Sequence, residues 1–410
     1  MNTSNKIKIA FVKYAGLTSG GSEKLLQIIA ANLPKNIFEV TFFYSKPALN
    51  HKLPNGMLEV DPSRKKYLID SGVILKEFKV SRINFLSPYY NWENTNFFSI
   101  FNEKDFDIIQ TCRAGRKEYP FNLIKRIPIV DIIALSAGVD NQFNISRVVH
   151  LSRWSSFLWS KKGGDFSRVV HLSLPIEIPV IDKVSDLLHG RDIKNFFIYG
   201  FHQRVSEDIF SDIPLKAYKE MENNETMFMI MGGAEKYKKQ ASDLNIKNII
   251  FIPFSGNSQD IFTFLKMLDV YCHGRKDGEI NSQAIAEALS QGLPIVTHYS
   301  VFNNGQLEGV GLAGKFVWGY KEYSKEMLKL KEDKNYFNLK AGNARKQFRD
   351  FYELKKQIRG YIDLYMDVIK NPYPDKIKRF IYSLHYSQNI RILAIWFYYK
   401  ISILVKFLKS

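Results

Sequence analysis

Short apolar runs alternate with amphipathic stretches along most of this 410-residue chain, and the alternation starts twice. The first series opens with a predicted strand at 8–12, a glycine-bearing turn, and a helix at 22–33 whose Leu25, Ile28, Ile29 and Leu33 share a face. Further strands are predicted at 38–44, 107–112 and 127–135. Two more fall in an identical heptapeptide, Ser146-Arg-Val-Val-His-Leu-Ser152 and Ser167-Arg-Val-Val-His-Leu-Ser173. Two copies are too few for a solenoid, so both read as buried strands. After Leu174-Pro-Ile-Glu-Ile-Pro-Val180 the alternation restarts, with strands at 195–200, 227–231, 248–252, 269–273 and 294–298 and helices at 214–222, 236–244, 258–268 and 282–291. Strands joined by helices must lie parallel, with helices on both faces, and such sheets bind ligands at their carboxyl ends. Helices at 321–331 and 336–369 are expected to complete the second unit.

The expected architecture is α/β, with two Rossmann-like, doubly wound domains at 1–185 and 186–370 and a distinct segment at 371–410. A hydrophobic content of 45%, with 14% aromatic, suffices for cores of that size. Cys112 and Cys272, one in each half, exclude a disulfide framework or a zinc site and read as core residues in a reducing compartment. The N-terminus runs into a strand without an apolar stretch long enough for a signal peptide, so no export is expected.

The densest chemistry lies in Asp277-Gly-Glu-Ile-Asn-Ser-Gln-Ala-Ile-Ala-Glu287-Ala-Leu-Ser-Gln-Gly292-Leu-Pro-Ile-Val296. Asn281 or Ser282 can cap a helix that Gly292 stops before a Pro-Ile-Val strand. Glu279 then lies just outside the helix and Glu287 within it. The free N–H groups around 281–283 suit a diphosphate, leaving two carboxylates for the hydroxyls that the phosphates carry. The same acids would also fit a helix with one capping and one solvated carboxylate.

Glu279 and Glu287, seven residues between them and Gly-x-Pro-x-Val following, resemble the signature of the retaining GT-B glycosyltransferases of family 4. The resemblance covers about residues 6–365 and is specific only between 269 and 296. It implies two domains facing across a cleft, with helices near the end of the second domain crossing back to the first. It also implies a nucleoside diphosphate sugar donor, with Glu287 holding the ribose, Glu279 reaching the transferred sugar, and Gly278 beside them. Arg204, after the strand end Tyr199-Gly-Phe-His-Gln, matches a phosphate-binding Arg, but the Lys expected five residues on is Ile209. Half of the diphosphate clamp is therefore missing or comes from elsewhere.

Gly20 and Gly21, in Gly-Gly-Ser-Glu, resemble a family loop that faces the donor phosphates, although a tight turn capped by Ser22 accounts for them equally well. Gly232-Gly233 looks like another close-approach turn. By resemblance Pro253 and Phe254 should sit near the nucleotide base. No histidine claims a catalytic place, and His150 and His171 read as hydrogen-bonded core residues. Arg113 and Arg116, in a loop after a strand, are expected on the acceptor side.

The 58 basic against 41 acidic residues leave +17, which favours an anionic partner or reflects a solvated basic surface. At 389–410 apolar residues dominate, Trp396 to Tyr399 sit among basic ones, and Arg391, Ser402, Lys406 and Lys409 share one helical side. A basic amphipathic helix in the interface of an anionic membrane is expected there, or one packed on the protein itself. The reading is thus a retaining glycosyltransferase in bacterial cell-surface polysaccharide or lipopolysaccharide synthesis. It would be cytoplasmic, peripheral at the inner face of the membrane, and would act on a glycan or lipid-linked acceptor with no metal or other cofactor. The rival is a non-catalytic basic binding protein on the same scaffold, but no nucleic-acid motif is recognisable, and nucleic acid is not an expected partner.

Overall fold

Alternate residues of the first strand, β1 (Ile7–Lys13), leave it in opposite directions, with Ile9 and Phe11 joining one apolar cluster and Ala10 and Val12 another. That is the pattern of a strand covered on both faces. In the computed structural model, which describes residues 6–18, 20–48, 60–84, 91–135, 137–181 and 186–373, β1 sits inside a parallel seven-stranded sheet. Its other strands are β2 (Phe38–Ser45), β3 (Ile74–Phe78), β6 (Ile108–Arg113), β7 (Ile129–Ile133), β8 (Ile145–His150) and β9 (Val169–His171), in the order β3-β2-β1-β6-β7-β8-β9. A separate antiparallel pair, β4 (Arg82–Asn84) and β5 (Asn91–Glu93), presents Trp92, which stacks on Phe78 at 4.8 Å within the second cluster. The helices are α1 (Gly21–Asn32), α2 (Pro62–Asp70), α3 (Phe97–Ile100) and α4 (Arg153–Lys161).

The second sheet is parallel and six-stranded, in the order β12-β11-β10-β13-β14-β15. Its strands are β10 (Phe197–Gln203), β11 (Thr226–Gly232), β12 (Ile249–Ile252), β13 (Val270–Cys272), β14 (Ile295–His298) and β15 (Gly314–Val317). Between and after them come α5 (Ile213–Lys219), α6 (Glu235–Asp243), α7 (Ser258–Lys266), α8 (Gln283–Ser290), α9 (Gln306–Val310), α10 (Tyr320–Glu332), α11 (Lys334–Phe351) and α12 (Leu354–Lys370). In both sheets the strand order reverses beside the first strand, at β1/β6 and β10/β13, which opens a ligand crevice at the carboxyl ends.

The single helix expected at 336–369 is two, α11 and α12, broken at Tyr352 and Glu353. At the break, the linker between the sheets pairs with the chain, Ile176 N–H donating to the Tyr352 carbonyl at 3.1 Å. From there α12 packs on the first sheet: Tyr365 OH donates to Gln110 Oε1 at 2.7 Å, and Asp367 accepts from Arg147 at 2.8 Å. One apolar cluster therefore runs from Ile9 and Phe11 through Ile176, Tyr361 and Tyr365 to the second sheet. The segment at 389–410 lies outside the described residues, and no described helix is long and apolar enough to cross a membrane.

The twin heptapeptides are neighbours. They pair in parallel and in register, Val148 with Val169 and His150 with His171. Only the first copy is a fully buried strand; the second is a short edge strand with His171 exposed, a correction to the expected pair of buried strands. Their histidines meet successive serines of α4, His150 Nδ1 at 2.9 Å from Ser155 Oγ and His171 Nε2 at 2.8 Å from Ser156 Oγ. Burial drives the His150 pKa down to about 3, so its ring is neutral.

Candidate functional site

The turn before α8 is built to hold two acids on one wall. Gly278 has φ +66°, and a Cβ there would overlap the Asn303 carbonyl oxygen, so the turn accepts glycine only. Gln306 Oε1 accepts from the Glu279 N–H at 3.1 Å, and the Glu279 carbonyl accepts from Gly305 N–H at 2.7 Å. Ser282 then caps α8, its Oγ accepting from Ile285 N–H at 3.3 Å. Glu279 thus stands ahead of the helix and Glu287 one turn inside it, and both line a cleft of about 290 Å³ between the sheets.

The first domain supplies Gly21 and Lys24 to that cleft, and the second supplies His202, Gln203, Arg204, Phe254, His273, Arg275, Asn281 and Gln283. A Cβ on Gly21 would lie 3.7 Å from Gln283 Oε1, so the glycine loop reaches the start of α8 from the opposite side. Glu287 accepts from Lys24 Nζ at 3.1 Å and Gln283 Nε2 at 2.9 Å on one oxygen, and its other oxygen lies 3.0 Å from His202 Nε2. Burial alone would raise its pKa, but Lys24, His202 and Gln283 outweigh burial and hold it down to about 2. Glu279 lies 3.2 Å from Arg275 Nη1 and 3.6 Å from His273 Nε2; these neighbours overcome its burial and also keep it ionised.

Some of the buried polar atoms that lack a hydrogen-bond partner lie here. Among the described residues they include His202 Nδ1, Gln203 Oε1, Arg204 Nε and His273 Nε2, all on side chains that line the cleft. Orphaned buried donors and acceptors are costly, and a polar ligand in the cleft could complete these four. Phe254 is 42% exposed beside the turn at Gly232 (φ +73°), offering an apolar face at the rim.

The structure thus brings Glu279, Glu287, Arg204, Asn281, Phe254 and Gly21 together around one cavity. Gly278 and Ser282 act on it through the turn and the cap, while Gly20 is the N-cap of α1 and Pro253 is an exposed neighbour of Phe254. Asn281 is no helix cap. Its Nδ2 donates to the Leu151 carbonyl at 2.6 Å and to Ser173 Oγ at 3.2 Å, and Tyr352 OH donates to its Oδ1. Ser152 Oγ adds a bond to the Ile280 carbonyl at 2.6 Å, so both heptapeptide ends fasten the turn that carries Glu279.

Arg113 corrects the expected acceptor side. It is 4% exposed and held between Asp131 at 2.9 Å and Asp140 at 3.1 Å, buried under the sheet end instead of open to a ligand. Arg116, three residues on, is exposed. Ile209 is wholly buried, which leaves no cation at the expected lysine position. The sequence also contains Asp105-Phe-Asp107, a carboxylate spacing used for metals in other transferases. Here Asp107 accepts from Lys8 N–H at the amino end of β1, opposite the crevice. No group of three metal-ligating side chains occurs among the described residues. Sequence reasoning missed Lys24, His202, His273 and Arg275, although Lys24 directly follows the quoted Gly-Gly-Ser-Glu.

Residues 211–349, about a third of the chain, match the family model described as glycosyl transferases group 1. No curated protein sequence matches. Solved structures share the architecture along nearly their whole length. HepE of Anabaena, crystallised with UDP and glucose, is 17% identical, with 88% of this chain and 99% of that one covered and a TM-score of 0.65. A glycosyltransferase from Rickettsia africae is 13% identical, covering 90% and 100%, with a TM-score of 0.67. Sucrose-phosphate synthase from Thermosynechococcus elongatus is 11% identical, covering 89% and 100%, with a TM-score of 0.64. The fold is therefore the GT-B fold of these proteins, and the matched segment supports an enzyme of the glycosyltransferase kind.

Proposed function

We propose that the chain moves a hexose from a nucleoside diphosphate sugar to an acceptor hydroxyl with retention at the anomeric carbon. The observation that carries this is the pair Glu279 and Glu287, both ionised, on one wall of an interdomain cleft at the start of α8. In this reading Glu287 accepts from the ribose hydroxyls and Glu279 from the sugar, with Phe254 beside the base. The anomeric C–O bond to the diphosphate breaks and the acceptor oxygen takes the same face, its proton passing to the leaving phosphate oxygen. Arg204 and the amino end of α8 meet the charge that develops on the diphosphate, so no step needs a metal. By likeness to HepE, UDP-glucose is the first donor to try.

A lipid-linked or polysaccharide acceptor at an anionic membrane is supported by the +17 charge and by the basic, aromatic sequence at 389–410. Co-sedimentation with anionic vesicles should fall when those residues are removed.

Thermal shift with UDP, GDP, ADP and CDP tests the site itself. One nucleotide should stabilise the protein, and Glu287→Ala should weaken its binding about 10- to 100-fold, the loss of hydrogen bonds to a charged acceptor. An equal response to every polyanion, erased by salt, would instead favour a non-catalytic basic binder.

A further inference from the structure

The resemblance implies a second phosphate-binding cation near Arg204 where this chain has Ile209, and the geometry points to a replacement: we propose that Lys24, on the first domain, supplies the second positive charge to the donor diphosphate. This rests on the nucleotide-sugar reading of the cleft. The second domain cannot fill the gap at the expected place, because Ile209 is wholly buried and its neighbour Asp208 is an acid lying 3.4 Å from Arg204. The cleft is lined by Lys24, Arg204 and Arg275 against Glu279 and Glu287. Three cations less two carboxylates leave +1 for a dianionic ligand, and removing Lys24 leaves none.

Among those cations Arg275 is engaged. Its Nη2 and Nε hold Asp277 at 2.6 and 2.9 Å, and its Nη1 holds Glu279 at 3.2 Å. Its guanidinium is a fixture of the Glu279 turn. Lys24 is different. An ammonium carries three N–H donors, and among the described residues this one has a single partner, Glu287 at 3.1 Å. It emerges in the first turn of α1, Lys24 N–H bonding the Gly20 carbonyl at 2.8 Å, beside the glycine loop that faces α8. With ribose on the carboxylate, Lys24 keeps one hydrogen on Glu287 and turns the others to the phosphates that must lie between α1 and α8. The two domains then share the donor, ribose and phosphate joined through one ion pair. Lysine suits this bridging because its charge is compact and its donors rotate.

The test is calorimetric titration of the full chain with UDP, UMP and uridine, replaced by the matching series if another diphosphate binds more tightly. Lys24→Met should weaken the diphosphate about 10- to 100-fold and leave the nucleoside unweakened, while Lys24→Arg retains most of the affinity. Because Lys24→Met takes the ammonium from the buried Glu287 carboxylate, the comparison is repeated as Lys24→Met/Glu287→Gln against Glu287→Gln, where that carboxylate charge is absent from both. Loss confined to the phosphate-bearing ligands in both backgrounds supports the bridge. Equal loss for UDP and uridine, or none for either, overturns it and leaves Lys24 as a partner of Glu287 alone. A wild-type protein that binds no nucleoside diphosphate overturns the functional reading beneath it.

Discussion

Glu287 is 3% exposed and carries its charge only because three neighbours hold it. A carboxyl whose folded pKa is lowered stabilises the fold above its unfolded pKa and loses that contribution as pH falls to the folded value. The window here runs from about 4.5 down to about 2. Urea unfolding at pH 6, 4 and 3 should show wild type losing stability faster than Glu287→Gln, and parallel slopes would refute the ion pair. Glu279→Gln should keep nucleotide affinity within a few fold and lose most turnover, measured as product per bound donor. At Arg113 the expectation concerns the fold: Asp131→Ala leaves a buried guanidinium half paired and should cost about 3–5 kcal/mol by denaturation. The two acids were legible in the sequence because their spacing brackets a helix start. Arg113 was misread because a pattern places a residue after a strand but does not say whether its side chain turns outward or back under the sheet. Lys24 and His202 were not legible at all, since their partner lies 263 and 85 residues away.

At the scale of elements, the buried parallel strands declared themselves as unbroken apolar runs, and their helices followed from periodicity. Less visible were α2, β3 and β15, which are short and half exposed and so lack a clean period. The break between α11 and α12 has no proline or glycine to announce it; pairing with Ile176 makes it, a tertiary cause. The twin heptapeptides were legible as strands, but their pairing and their grip on the Glu279 turn were not. That grip predicts that Asn281→Ala, which removes a donor from the Leu151 carbonyl and an acceptor from Tyr352 OH, costs about 1–3 kcal/mol in urea unfolding and slows turnover beyond its effect on nucleotide affinity. Unchanged stability would mean the seam holds without it.

For the whole molecule, the fastenings between the two halves include α12 on the first sheet, the heptapeptide seam, and Lys24 and Glu287 across the cleft. The plan of two parallel sheets was readable because the strand and helix series restarts; the fastenings were not, since each joins residues far apart in the chain. The molecule also carries its own pair of reporters. Cys112 lies in β6 and Cys272 in β13, the corresponding strand of each sheet, both wholly buried, and burial pushes the Cys112 thiol up to about 12. A pulse of alkylating reagent during a denaturant ramp, read peptide by peptide in a mass spectrometer, would time the opening of each half without any introduced dye. Joined as they are, the two sulfurs should become reactive at one midpoint.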